Sequence, residues 1–276
     1  MLLNDEQLNK LKENELEIMI EIDRLCRKHN IKYSLAFGTL IGAIRHKGFI
    51  PWDDDLDIIM TRDEFEKFKK VLPELDEKYF YVDAKISKPY GLLFGKIMKK
   101  NTLMAEISTP RSVPSGFFVD IFVAEKTSLN QDEQLAQFNK FWTLRRMLLR
   151  RQLYNFKNGA FSRFLYKVSG IILKIIPKKT FIKKDEKNCL KFADLEDYKW
   201  ITFEITDKVF EQAVYDKDTF ENYTDVDFEG HKFMAVKDYD KLLTIQYGDY
   251  MALPPEKDRV PHHFVEAIDF GEEKAS

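Results

Sequence analysis

The stretch that decides the fold is PWDDDLDII, at residues 51–59. It places four aspartates within five positions, directly before an apolar run. Carboxylates at this spacing repel one another, so folding must solvate the charge, protonate it or pair it with cations. A solvated acidic turn that caps a strand meets the first condition, and a bound metal ion meets the third.

The alternation that starts at Asp55 predicts a strand over 55–60. In a strand, Asp55 and Asp57 point to one face, while Leu56 and Ile58 point to the core. Paired carboxylates at a strand end suit Mg2+, which takes oxygen ligands, whereas histidine or thiolate ligands would indicate a softer metal. The stretch therefore predicts a magnesium site at Asp55 and Asp57.

A single acid lies inside a second apolar run, GFFVDIF at residues 116–122. Asp120 needs a partner there, because burying an unpaired charge is costly. Two partners are open: a metal ion shared with Asp55 and Asp57, or a buried salt bridge to a lysine or arginine.

The segment FGTL at residues 37–40 follows a predicted strand and opens a predicted helix. Backbone N–H groups at a helix start can hold a phosphate group, which makes Gly38 and Thr39 candidate ligands. Arg45 and His46 follow within two helical turns. They are candidate cations for the same phosphate, or the solvated end of a helix whose dipole they offset.

The rest of the chain interleaves helical and strand patterns, which favours an α/β or α+β fold. Helices are predicted over 4–30, 40–46, 61–72 and 131–154, and strands over 31–37, 55–60, 80–84, 92–99, 117–122, 199–203 and 231–236. Asn4 with Gln7, and Thr61 with Glu64, have the spacing of capping boxes.

The composition is that of a globular protein with a sizeable core. Of its 276 residues, 44% are hydrophobic, and the net charge of −2 excludes both a disordered polyelectrolyte and a polycation built for nucleic acid. Cys26 and Cys189 form no Cys-x-x-Cys pair, so neither a thiolate zinc site nor a disulfide framework is expected. Neither a signal peptide nor a membrane-spanning apolar run is visible, and a cytoplasmic location is the expectation.

Three motifs in the sequence extend the acidic stretch into a longer pattern. They are YSLAFGTLIGAIRHKGFIPWDDDLD at 33–57, FFVDIF at 117–122, and YGDYMALPP at 247–255 with His262 and His263 nearby. Together they resemble the LicD family, which contains phosphocholine transferases acting on teichoic acid and lipopolysaccharide and is related to the fukutin proteins. The likeness spans roughly residues 18–263.

The resemblance implies an α+β fold, with a nucleotidyltransferase-like mixed sheet flanked by helices. It implies two Mg2+ ions held by Asp55, Asp57 and Asp120, with Asp120 also accepting the proton of the acceptor hydroxyl. Gly38 and Thr39 fill the donor-phosphate turn, while the matching Asp53 and Asp54 receive no role.

The implied reaction moves phosphocholine from CDP-choline to a sugar hydroxyl of a cell-surface glycan precursor and releases CMP. Two alternatives stay open. One is transfer of another CDP-linked group, such as ribitol phosphate or phosphoethanolamine, on the same fold. The other is a non-catalytic membrane-docking adaptor, against which the intact aspartates count.

The middle of the chain is basic and lacks acids altogether from Gln134 to Lys184. Between 161 and 182, lysines and arginines interleave with apolar residues. Three interpretations are open: docking on the inner membrane surface near a lipid-linked glycan acceptor, a groove for an anionic acceptor, or helix packing with the apolar face buried. Nucleic acid is not expected, because no recognition motif accompanies the charge.

The C-terminal motif supplies the last candidate site residues. Tyr247 and Tyr250, with His262 and His263, are expected near an acceptor or choline site, since quaternary ammonium groups favour aromatic walls. Trp52 is expected at the donor site.

The expected organisation has three parts. Residues 1–133 form a nucleotidyltransferase-like catalytic core, 134–190 a basic amphipathic helical region, and 191–276 a C-terminal part that completes the acceptor side.

Overall fold

The computed structural model describes residues 3–154, 159–203, 210–261 and 263–271. Its α-helices are α1 Asp5–Lys28, α2 Phe37–His46, α3 Arg62–Val71, α4 Gln131–Arg151, α5 Ala160–Leu173, α6 Lys178–Cys189 and α7 Tyr239–Tyr247. Its strands are β1 Ser34–Leu35, β2 Asp57–Thr61, β3 Tyr79–Val82, β4 Gly95–Lys99, β5 Leu103–Glu106, β6 Phe118–Thr127, β7 Lys199–Thr202, β8 Val214–Tyr215, β9 Tyr223–Phe228, β10 His231–Val236 and β11 Val265–Asp269.

A mixed sheet organises the described part of the chain. Its strands run in the order β1-β2-β6-β4-β3, and β7 pairs with the far end of β6 and with β8. The pair β2–β6 is parallel, and the other pairs of this sheet are antiparallel. Helices flank the sheet, which confirms the expected α+β class.

Helix α1 forms as its sequence predicts and covers one face of the sheet. The Asn4 side chain accepts a hydrogen bond from the Gln7 backbone N–H, and the Gln7 side chain accepts one from the Asn4 backbone N–H. These two bonds complete the predicted capping box and satisfy N–H groups that a helix start leaves open. Leu11, Ile18 and Ile22 on one face of α1 are fully buried, so this face of the helix is part of the core.

The predicted capping box of α3 is wrong. The Thr61 side chain makes no cap hydrogen bond. The Glu64 carboxylate instead accepts from the Lys32 backbone N–H and pairs with Lys67. The tertiary partner therefore replaces the local one. The hydrogen bond also ties the segment just before β1 to α3.

Two β-ribbons bring distant parts of the chain to the sheet. The ribbon β9–β10 lies against β1, where the Val236 N–H donates to the Ser34 hydroxyl at 3.0 Å. The ribbon β5–β11 pairs residues 103–106 with 265–269. This second pairing carries the C-terminal histidine region back to the first half of the molecule.

In the basic middle of the chain, the structure describes the helices α4, α5 and α6, and both α5 and α6 pack on α4. The alternative in which its apolar face is buried is wrong for α5, whose apolar residues are exposed. It holds for Phe181 on α6, which is buried in the main core. No described helix combines the length and apolar composition needed to cross a bilayer.

Candidate active site

The parallel pairing of β2 with β6 fixes the first two acids of the site. In this register Asp57 lies directly opposite Asp120. Both residues lie near the N-terminal ends of their strands, where the chain enters from the acidic loop and from the 116–117 turn. The expected proximity of these two acids therefore follows from strand register.

Asp120 is buried and has a cationic partner on the neighbouring strand. Its Oδ1 lies 2.9 Å from Lys96 Nζ, and the two residues are also cross-strand partners of the β4–β6 pair. Burial raises the pKa of Asp120 to about 6, with Asp55 adding to the rise, while Lys96 and His263 oppose it. Asp120 thus has the salt bridge that its apolar surroundings demand, and its assignment as a metal ligand stays a prediction.

The aspartates that come together most closely are the three consecutive ones of the loop before β2. Within the described residues, ligand oxygens of Asp53, Asp54 and Asp55 all lie within 4.8 Å of one another, and they are the one group of three or more that meets this criterion. Asp53 and Asp54 are buried, while Asp55 is partly exposed. Burial, together with Asp55 and Asp54, raises the pKa of Asp53 well above its usual range. So dense a set of acids has the chemistry to hold a divalent cation. It shares Asp55 with the predicted set Asp55, Asp57 and Asp120, which stays a prediction.

Helix α1 contributes a fourth acid and a cation to this site. Glu15 is fully buried, and neither of its carboxyl oxygens has a hydrogen-bond partner among the described residues. Burial raises its pKa well above the usual range, and the loop aspartates, Asp55 first, raise it further. One turn away, Lys12 Nζ donates to the carbonyls of Ile50 and Pro51 at 3.1 and 2.9 Å. The helix therefore fixes the acidic loop and adds a carboxyl group to it.

His263 closes the site from the C-terminal segment. Its backbone N–H donates to Asp54 Oδ2 at 3.0 Å, and its Nδ1 lies 3.2 Å from Asp54 Oδ1. Burial lowers the pKa of His263, but the hydrogen bond with Asp54 and the charge of Asp55 outweigh it and raise the pKa to about 10. The imidazole is therefore a cation at neutral pH, and it lies edge-on to the Phe118 ring at 5.7 Å. The structure thus places His263 on the acidic loop.

The glycine turn at the start of α2 lies against the same loop. A Cβ at Gly38 would lie 2.7 Å from Asp53 Oδ2, so a larger residue there would displace that carboxylate. The Thr39 hydroxyl accepts a hydrogen bond from the Asp57 N–H at 2.9 Å, which sets where β2 begins. The preceding Phe37 holds a left-handed φ of 49°, an uncommon conformation for a non-glycine residue that strained functional turns often contain.

The predicted donor-site cations have structural partners. Arg45 Nη1 donates to the carbonyls of Tyr250 and Ala252, at 2.9 and 3.1 Å, and its Nε donates to His46 Nε2. Burial lowers the pKa of His46, and Arg45 lowers it further. Arg45 therefore joins α2 to the C-terminal motif, and its role toward a donor stays a prediction.

The predicted aromatic site residues differ in burial and in the residues they contact. Trp52 is partly buried and lies under the Arg259 guanidinium, 5.6 Å from the ring centroid. Tyr250 is buried, and its hydroxyl donates to Asp240 Oδ1 at 2.6 Å, whereas Tyr247 is exposed. The predicted site residue His262 lies outside the described residues.

The residues that sequence reasoning missed are the ones that neutralise Asp120 or that neutralise or extend the acidic loop from other elements. They are Glu15, Lys12 and Lys96, together with the pairing of His263 to Asp54. One signal was available: Glu15 lies on the apolar side of a helix, where an unpaired acid is out of place.

Comparison with known proteins gives two further findings. The model of the LicD/FKTN/FKRP nucleotidyltransferase domain matches residues 30–158. The lipopolysaccharide cholinephosphotransferase LicD of Haemophilus influenzae is 35% identical over 261 residues, covering 91% of this chain and 94% of that protein. Uncharacterised proteins of Rickettsia typhi and Rickettsia prowazekii are each 42% identical over 82 residues, or 27% of this chain.

Proposed function

The chain belongs to the LicD family, and from that premise we propose that it transfers phosphocholine from CDP-choline to a hydroxyl group of a cell-surface glycan, releasing CMP. The observation that carries the proposal is the match to the Haemophilus influenzae cholinephosphotransferase over 91% of the chain. That span includes the acidic loop together with the strand that carries Asp120. A lipid-linked precursor of lipopolysaccharide or teichoic acid is the acceptor class that we propose.

The acidic site supports a hard divalent cation such as Mg2+. Asp53, Asp54 and Asp55 converge, and Glu15 adds a buried carboxyl group with no hydrogen-bond partner in the described residues. Asp55 belongs both to this trio and to the set Asp55, Asp57 and Asp120 that the sequence predicts, so we assign it as the central ligand. Two bound Mg2+ ions would neutralise the phosphate charge and stabilise the attacking and leaving oxygens.

The side chains of the protein then have separate tasks in the transfer. The acceptor oxygen attacks the phosphorus that carries choline, the bond from that phosphorus to the CMP oxygen breaks, and CMP leaves with the electron pair. We assign Asp120 as the general base that takes the proton of the acceptor hydroxyl. Its pKa, raised to about 6, lies near neutral pH, where a general base is most effective. Lys96 fixes this carboxylate by its ion pair at 2.9 Å.

The glycine turn supports the positioning of the donor. Helix α2 starts at the turn, and its first N–H groups form the kind of site that binds phosphate. Gly38 leaves space beside Asp53, and the Thr39 hydroxyl is hydrogen-bonded to Asp57. A phosphate bound at this turn would therefore lie at a fixed position relative to the acidic loop. We also infer a cytoplasmic location, which the two free, buried cysteines Cys26 and Cys189 support.

The decisive experiment measures CMP release by the purified chain with Mg2+. CDP-choline, CDP-ethanolamine and CDP-ribitol are offered in turn, with and without a lipopolysaccharide or teichoic-acid fragment. We expect acceptor-stimulated CMP release from CDP-choline, lost in Asp55→Ala and kept in Asp132→Ala, which removes an exposed aspartate of α4. CMP release from a different donor would keep the transferase proposal and replace CDP-choline as its substrate. Release from none, by a folded protein, would overturn the transferase proposal.

A second experiment tests the metal site without turnover. A cation that binds only the folded state stabilises it, by about 2.7 kcal/mol at a hundredfold excess over its Kd. We therefore expect Mg2+ to raise the melting temperature of the wild type and of Asp132→Ala, but not of Asp55→Ala. An equal rise in all three proteins would place the cation elsewhere.

A further inference from the structure

Helix α5 carries its apolar stripe on the outside of the protein. Phe161, Phe164, Leu165, Val168, Ile171 and Ile172 recur at the spacing of one helix face, and each is 39–74% exposed. The stripe continues past the helix end with Ile175, the most exposed large apolar residue described, at 84%. An amphipathic helix on a globular protein normally turns this face inward, so α5 is inverted.

The inversion is fixed by the opposite face of α5, which packs on α4. A Cβ at Gly170 would lie 2.3 Å from the Arg150 carbonyl oxygen, so the two helices approach closely at this glycine. The Arg150 guanidinium lies 5.1 Å from the Tyr166 ring centroid. Arg151 Nε donates to the Ile176 carbonyl at 2.9 Å, just after the helix end. These contacts hold the apolar stripe toward solvent.

Cations border the exposed stripe. Arg163, Lys167 and Lys174 follow one another at spacings of four and seven residues, so they form a row along one side of it. All three are exposed, and so are Lys179 and Lys183 on the following helix. The chain has no acid from 134 to 184 to offset this charge. The surface is therefore apolar in the middle and positive at its border.

We propose that α5 and the turn at 174–176 lie flat on an anionic lipid bilayer, with the apolar stripe inserted among the acyl chains and the lysine and arginine row at the headgroups. An anionic bilayer matches both parts of the surface, because it offers an apolar interior next to negative charge. With 14 residues, α5 is about 21 Å long, which is too short to cross a bilayer but suitable for lying in its plane. The proposal does not depend on which group the acidic site transfers.

The test is flotation of the full chain with lipid vesicles. One set contains equal parts of phosphatidylglycerol and phosphatidylcholine, and the other contains phosphatidylcholine alone. We expect binding to the anionic set, weakening as salt is added. The double variant Phe164→Glu/Ile171→Glu should lower the partition coefficient about tenfold or more, and Arg163→Gln/Lys167→Gln/Lys174→Gln should abolish the preference for anionic lipid.

The matched control is Ile86→Glu, which adds an acid at an exposed apolar position outside α5 and should bind vesicles as the wild type does. All the substituted side chains are exposed, so unchanged melting temperatures verify folding. Absence of binding by the wild type, or binding that the α5 variants leave unaltered, would overturn the proposal. A dimer in sedimentation that Phe164→Glu/Ile171→Glu converts to a monomer, without vesicle binding by the wild type, would overturn it in favour of a second copy. None of these results depends on CMP release.

Discussion

Helices α1 and α5 have the same amphipathic periodicity and turn it in opposite directions. Helix α1 buries its apolar positions against the sheet and also buries one acid, Glu15. Helix α5 exposes its apolar positions and carries a row of cations along one side of them. Each departure from the usual rule of apolar inside and charge outside costs free energy unless a partner offsets it. We infer that the two departures mark two different ligand surfaces.

The largest expected effect is on catalytic activity, which should depend on the acidic site and not on the exposed stripe of α5. Asp55→Ala should lower kcat/KM for CMP release by about a thousandfold or more, because it removes the proposed central metal ligand. Phe164→Glu on α5 should stay within about twofold of the wild type when the acceptor is a soluble glycan fragment. The measurement is steady-state kinetics on that fragment. A comparable loss in both variants would show that the two surfaces are not separable.

The second prediction compares the stability lost when a buried apolar side chain on α1 and an exposed one on α5 are truncated. Ile18→Ala on α1 removes a fully buried side chain and should lower the free energy of unfolding by about 2–5 kcal/mol. Ile171→Ala on α5 makes the same chemical change at a side chain that is 60% exposed, and should stay within about 0.5 kcal/mol. Urea unfolding of both variants measures the difference. Equal losses would mean that α5 buries its stripe in solution.

The third effect concerns a buried acid remote from the proposed metal site. Asp185 on α6 is buried, its Oδ1 has no hydrogen-bond partner in the described part of the chain, and burial raises its pKa to about 7. A raised pKa means that the folded state holds this proton longer, so its contribution to stability is complete below about pH 4 and is lost as the pH rises to about 7. Asp185→Asn should remove that pH dependence.

The measurement is the free energy of unfolding of both proteins between pH 4 and pH 8. As the pH rises from 4, the free energy of unfolding of the variant should increase relative to that of the wild type by at most about 1.4 kcal/mol per pH unit. This difference should level off above pH 7. Asp132→Asn, at an exposed position, is the control and should follow the wild type. A constant difference across this range would contradict the raised pKa of Asp185.

Much of the local structure could be predicted from the sequence. The cap of α1, the start of α4 at Gln131 and the bounds of β10 all agree with the patterns. Short-range hydrogen bonds and side-chain periodicity encode these features, so no distant residue is needed to find them. The capping box at Thr61 failed because Glu64 has a partner thirty-two residues earlier, at Lys32.

The acidic loop was found from the sequence because its four aspartates are neighbours in the chain. The partners of the loop and of Asp120 were not found, because they come from other elements. Lys96 meets Asp120 through strand pairing, His263 meets Asp54 across 209 positions, and Glu15 reaches the loop from α1. No local pattern specifies such pairs.

The sequence by itself therefore predicted the acidic motif from contiguous residues and an α/β or α+β fold from periodicity, and the likeness of its motifs to the LicD family narrowed this fold to α+β. Only the tertiary structure decided which acids converge, which cations neutralise them and which way α5 faces. The physical reason is that periodicity defines a helix face, whereas the burial of that face depends on what the rest of the chain packs against it. In α1 the sheet covers the apolar face. In α5 the helix α4 takes the opposite face and leaves the apolar one to solvent.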